Sequence, residues 1–241
     1  MAPPKITFYV DIISPFGYIA YWMLRNSPVF ANVEKTYIPV LLGGLHKQCG
    51  NVAPILIKNK DKWINKERDR WAQLYSIPIR QGTPPGFPTS TVSSGRALTS
   101  LSLEVDQEQL AKAADVFWAA MWCPQAEVLK GIKEGRNEHG EFDTKDPKTL
   151  ETLLSAVLDG EIAKKVMGSI GEKQVKDLLV ANTNGAFEKG AFGLPWFECT
   201  NKEGETEGFW GFDHLGHVVR FLELEEEGDK GRSGQVMRAM L

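Results

Sequence analysis

Ser14 and Pro15 follow a β-branched and aromatic run, Lys5 to Val10, and precede an almost wholly apolar stretch, Phe16 to Leu24. Serine is a favoured helix N-cap and proline fits the first helical position, so the pair reads as a strand-to-helix corner. A hydroxyl there sits among free N–H groups at the positive end of a helix dipole, a setting that favours an anion. The corner itself carries no cysteine: Cys49, Cys123 and Cys199 are widely spaced and form no C-x-x-C pair. They read as reduced thiols, not as a disulfide framework or a zinc site. His214 and His217 stand three apart on a predicted helix with no third ligand, so they read as a surface or core pair and no metal is expected.

These residues need a frame. Lys5–Val10 and Val33–Leu42 read as strands on either side of the apolar helix, and Gly43-Gly44 is expected to break the second. Strand, helix and strand within about 40 residues imply a parallel pair with a right-handed crossover. From about residue 61 to 184 nearly everything is helical or connecting. Helices are predicted at Trp63–Leu74, Ser93–Val105, Gln107–Trp122 (capped by Asp106) and from Asp146-Pro147 to Leu158. Two shorter ones run through Met167 and from Glu172 to Asn182, and a Pro- and Gly-rich loop spans Gln81–Pro88. Strand character returns at Trp196–Cys199 and Gly208–Gly211, joined by the polar turn Asn201–Glu205 as a hairpin. Asp213 is expected to cap a last helix.

The sum is β-α-β, a block of helices, then β-β-α. That is the connectivity of an α/β thioredoxin-like fold with an all-helical domain inserted after the second strand. Residues 1–60 and 185–230 make the thioredoxin-like domain on this reading, and residues 61–184 the helical insertion.

A formal net charge of -3 and 24% charged residues give no sign of a nucleic-acid or membrane-surface partner. No apolar run approaches the ~18 residues of a membrane span. The N-terminus runs into a strand without a signal or transit pattern, so a cytoplasmic protein is expected. Ala239-Met240-Leu241 is loosely similar to a peroxisomal tail but lacks its basic middle residue; peroxisome and mitochondrion are the other compartments considered. Glu223 to Arg232 reads as a charge-rich solvated end.

Phe8-Tyr9-Val10-Asp11-Ile12-Ile13-Ser14-Pro15-Phe16 resembles the opening of the kappa-class glutathione transferases and of the related 2-hydroxychromene-2-carboxylate isomerases, both DsbA-like thioredoxin folds. Three further segments carry the resemblance in order: Gly50-Asn51-x-x-Pro54, Gly190-Ala191-Phe192-Gly193-Leu194-Pro195, and Phe209-Trp210-Gly211-Phe212-Asp213. Thiol oxidoreductases of this fold place a C-x-x-C where Ser14-Pro15-Phe16-Gly17 stands. The resemblance therefore implies that Ser14 is catalytic and donates a hydrogen bond to the thiolate of bound glutathione, although a plain helix cap is the simpler reading of the pair.

It further implies glutathione contacts from Asn51, Lys60, the backbone of Leu194 before a cis Pro195, Phe212 and Asp213, the last holding the γ-glutamyl ammonium. Gly17 and Phe212 depart from the family, which commonly has small polar residues at both places. The implied function is a kappa-class detoxification transferase, a homodimer acting on glutathione and a small apolar electrophile. A glutathione-dependent cis-trans isomerase is the nearest alternative, and a non-catalytic or chaperone-like DsbA-fold protein is the alternative of another class.

Overall fold

β1 (Lys5–Val10) alternates: Ile6, Phe8 and Val10 enter one apolar cluster and Tyr9 a second one. A strand buried on both faces belongs in the middle of a sheet. In the computed structural model, which describes residues 3–224, β1 is indeed central. β2 (Glu34–Pro39) pairs parallel to it, with Lys5 opposite Glu34 and Val10 opposite Pro39. β3 (Trp196–Thr200) pairs antiparallel on its other side, and β4 (Thr206–Trp210) completes the order β2-β1-β3-β4 as a hairpin with β3. The expected thioredoxin-like connectivity is the observed one. The expected end of the first domain at residue 230, the charged tail beyond Leu224 and the terminal Ala239-Met240-Leu241 lie outside the described residues.

α1 (Pro15–Asn26) forms the crossover from β1 to β2 and buries Tyr18, Ile19, Ala20, Tyr21, Met23 and Leu24. The helical insertion contains α3 (Lys60–Tyr75), α4 (Val92–Leu101), α5 (Gln107–Trp122), α6 (Pro147–Ser155), α7 (Gly160–Ser169) and α8 (Lys173–Glu188). Asp106 caps α5 by accepting from Gln109 N at 2.8 Å, and Asp146 caps α6 by accepting from Thr149 N at 3.1 Å. A short α9 (Leu215–Phe221) ends the described chain. One apolar cluster runs from Ile6, Phe8 and Phe197 through α1 to Phe117, Leu153 and Val166, joining the sheet to the inserted helices. Each such fully buried large side chain contributes on the order of 2 kcal/mol or more. No helix among the described residues is long and apolar enough to cross a membrane.

The structure corrects three local readings. Gly43-Gly44 does not break the chain after β2; both lie in α2 (Leu42–Cys49). The first N–H groups of this segment are satisfied from distant residues, Leu41 N by Thr183 Oγ1 at 3.1 Å and Leu42 N by Asp11 Oδ2 at 2.8 Å. A Cβ on Gly44 would stand 3.0 Å from Thr183 Cγ2, so this glycine lets α2 lie close against α8. Asp213 caps no helix: it lies inside a 3₁₀ turn, Phe212–His214, and α9 starts after His214 without a side-chain cap. Finally, α8 continues through Glu188, past the Asn182 at which the helix is expected to end.

Candidate active site

Ser14 is the N-cap of α1, in extended backbone conformation with φ -84° and ψ 112°. Its Oγ accepts the Gly17 N–H at 2.9 Å and donates to the Leu194 carbonyl at 3.4 Å. Only 5% of the residue is exposed, so these bonds act in a partly desolvated setting. The Ser14 N–H donates to the Asp11 carbonyl at 3.2 Å. Asp11 is buried, and its carboxylate accepts from Ile13 N at 3.2 Å and from Leu42 N at 2.8 Å. Burial raises the Asp11 pKa, and hydrogen bonds from Leu42, Thr91 and Ile13 oppose that shift. Asp11 thus ties the corner to the start of α2. The sequence did carry a signal for it: an acid between Val10 and Ile12, at the end of a strand buried on both faces, has to find donors.

α2 closes at Gly50, whose φ of 67° suits glycine and turns the chain into Asn51. Asn51 Nδ2 donates to the Phe192 carbonyl at 2.9 Å, and Cys49 Sγ lies 3.6 Å from the same oxygen. Phe192 leads through Gly193 to Leu194-Pro195, joined by a cis peptide bond. The Leu194 N–H makes no hydrogen bond to a described residue. Pro195 accepts from the Gly211 N–H at 3.0 Å, which brings Phe212 and Asp213 to the same end of the sheet.

Ser14, Leu194, Pro195, Asn51, Phe212 and Asp213 are therefore linked through the loop before β3. Lys60 is not: it opens α3 as an exposed residue, tied by its N–H to the Ile57 carbonyl at 3.0 Å, and bonds to none of the others. Phe212 is a core residue. Its ring is 2% exposed and packs edge-on against Trp71 at 5.3 Å and Tyr75 at 5.5 Å, leaving only its backbone for a ligand. Asp213 keeps an exposed carboxylate, 3.5 Å from His214 Nδ1. His214 stacks on His217 with 5.7 Å between ring centroids. Among the described residues no group of three or more His, Cys, Asp or Glu is placed to hold a metal ion.

The departure at Gly17 has a steric cause. A Cβ there would meet Trp118 Cη2 and Ser14 Cβ, each at 3.1 Å. Of the chain's own thiols, Cys123 and Cys199 are buried and burial pushes both pKa values up, while half-buried Cys49 turns its Sγ to the Leu45 carbonyl at 3.0 Å. A buried hydroxyl at the positive end of a 12-residue helix can stabilise a thiolate, but the sulfur has to arrive with a ligand.

A family model described as DSBA-like thioredoxin domain matches residues 5–223. Glutathione S-transferase kappa 1 of Caenorhabditis elegans is 27% identical over 225 residues, 91% of this chain and 90% of that protein. The 2-hydroxychromene-2-carboxylate isomerase of Pseudomonas putida is 27% identical over 214 residues, 87% of this chain and 90% of that protein. A solved structure of a 2-hydroxychromene-2-carboxylate isomerase superposes with a TM-score of 0.67 at 20% identity, covering 91% of this chain and 94% of that one.

Proposed function

The chain belongs to the DSBA-like thioredoxin-domain family, and from that premise we propose that it is a glutathione-dependent transferase of the kappa class. The observation that carries this reading is the cysteine-free corner, where the Ser14 hydroxyl hydrogen points at nothing stronger than a carbonyl 3.4 Å away. Glutathione lies along Gly193–Pro195 as an added strand. Its cysteinyl N–H takes the Leu194 carbonyl, and a ligand carbonyl takes the open Leu194 N–H. Ser14, released from Leu194, turns its hydrogen to the sulfur while still accepting from Gly17. Asp213 holds the γ-glutamyl ammonium, Asn51 and Lys60 the other end of the tripeptide, and Phe212 offers its backbone N–H.

The thiol proton passes to solvent and the thiolate attacks an apolar electrophile; on a chloroarene the C–S bond forms as chloride leaves. An ordinary thiol is only a few per cent ionised at pH 7, so complete ionisation yields at most about thirtyfold. Holding the electrophile against the sulfur has to supply the rest.

The likeness to the Pseudomonas putida isomerase favours a second reading at the same site. There the thiolate adds to a conjugated double bond, the new single bond rotates, and expulsion of the thiolate restores the double bond. Glutathione is unchanged at the end. A role in detoxification, a cytoplasmic location and a homodimer complete the proposal. The exposed apolar side chains of Val52, Leu56, Ile57 and Trp63 offer surface for such a dimer.

Calorimetric titration with glutathione, paired with 1-chloro-2,4-dinitrobenzene conjugation and a chromene-carboxylate isomerisation assay, tests both readings. Binding with conjugation supports the transferase, and binding with isomerisation alone supports the isomerase. No heat and no thermal shift at millimolar glutathione sinks both and leaves the chaperone-like protein.

A further inference from the structure

Two tryptophans one helical turn apart on α5, a helix of the insertion, reach the reactive corner. Trp122 Nε1 donates to the Ile12 carbonyl at 2.7 Å, and the bond is buried. Trp122 is 0% exposed, with Phe87 edge-on to it at 5.4 Å. Trp118 is 1% exposed, and its Cη2 occupies the place a side chain on residue 17 would take. It stacks with Tyr21 at 6.1 Å and lies tilted against Tyr18 at 5.8 Å, and its own Nε1 has no hydrogen-bond partner among the described residues. The ring is thus placed by shape, against the same first turn of α1 in which Ser14 Oγ caps Gly17.

Resting on the reading of Ser14 given above, we propose that Trp122 and Trp118 are positioning residues that fix the Ser14 hydroxyl from the insertion side. Trp122 fixes the carbonyl two residues before Ser14, where the chain leaves β1. Trp118 fixes the turn after it, so the residues on both sides of Ser14 are held and only its hydroxyl hydrogen is free to turn. Neither indole needs to touch glutathione. The helical insertion then serves the sulfur chemistry directly. A buried carbonyl bonded to one indole N–H has no water to replace it, so losing that donor leaves the corner free to relax.

The test is an ultraviolet titration of the glutathione thiolate bound to the wild type, Trp122→Phe and Trp118→Phe, with kcat and KM measured alongside. Trp122→Phe keeps an aromatic ring and removes the donor. The bound thiol is expected to titrate at higher pH than in the wild type, with the thiolate fraction at pH 7 down about fivefold. The conjugation kcat should fall in parallel while KM for glutathione stays within about twofold. Trp118→Phe retains the bond to Ile12 and opens space at Gly17; it should move the titration the same way by less, and it decides the matter if Trp122→Phe does not fold. Titrations that superimpose on the wild type in the folded variants overturn the proposal. A wild type that binds glutathione without any thiolate band overturns the reading of Ser14 instead.

Discussion

Ser14 Oγ and the Leu194 carbonyl, 180 residues apart in sequence, face each other across 3.4 Å. The bond is long for an O–H donor, so giving it up costs little. The same hydroxyl accepts the Gly17 N–H at 2.9 Å, so its oxygen is fixed while its hydrogen is exchangeable. On the proposed reading, ligand binding trades a weak neutral bond for a charge-assisted one to sulfur.

Replacing the hydroxyl separates these two jobs. Ser14→Ala should lower kcat/KM for conjugation about tenfold or more at neutral pH, as expected for a lost hydrogen bond to a charged group. It also removes a helix cap, at a stability cost of about 1 kcal/mol, which a thermal melt will report separately. The rate deficit should narrow as the assay pH rises and the thiol ionises unaided. A deficit that is constant from pH 6.5 to 9 would count against thiolate stabilisation.

Asn51 braces the loop that presents Leu194, through its 2.9 Å bond to the Phe192 carbonyl, and on the proposed reading it also touches the tripeptide. Asn51→Ala should therefore raise KM for glutathione about tenfold and leave kcat at saturation within about twofold. The reverse pattern in steady-state kinetics, a low kcat at unchanged KM, would place Asn51 in the sulfur chemistry and contradict the assignment.

Phe212 and Asp213 are neighbours with opposite fates. Phe212→Ser would introduce the small polar residue that the resemblance implies at this place, yet here it empties a site 2% exposed between Trp71 and Tyr75. The expected loss is about 3–5 kcal/mol, read from the denaturant midpoint. Asp213→Asn, at an exposed carboxylate, should leave that midpoint nearly unchanged and weaken glutathione binding in calorimetry. A Phe212→Ser variant as stable as the wild type would show that the aromatic cluster is not structural.

The parts legible in the sequence were those written locally. The Ser14-Pro15 corner, the Asp106 and Asp146 caps, the β3–β4 hairpin and the helical insertion each follow from caps, turns or periodicity. α2 was not legible, because Gly43-Gly44 looks like a breaker and its rescue comes from Asp11 and Thr183, distant in the chain. Asp213 reads as a cap because a 3₁₀ turn, unlike an α-helix, leaves no periodic trace in three residues. The bonds that assemble the site, Ser14 to Leu194 and Trp122 to Ile12, join segments more than 100 residues apart and exist only in the folded chain. The resemblance set Ser14 and Leu194 at one glutathione site without the bond between them, and nothing in composition or spacing supplied the second pairing.

Asp11 gives the site a pH signature of its own. Burial is the largest influence on its carboxyl and raises its pKa, more than the hydrogen bonds from Leu42, Thr91 and Ile13 lower it. A carboxyl whose pKa is higher folded than unfolded binds more protons in the native state over the interval between the two values. Its contribution to stability is then fully present below the unfolded value, near 3.9 for aspartate, and is lost as pH rises through the folded value. Asp11→Asn cannot titrate, and all other groups are common to both proteins. The difference in melting temperature, wild type minus Asp11→Asn, should therefore shrink as pH is raised from about 4 toward neutrality. Thermal melts at half-unit pH intervals will show it, and a difference that grows with pH would mean that the donors from α2 outweigh burial and hold the carboxylate ionised.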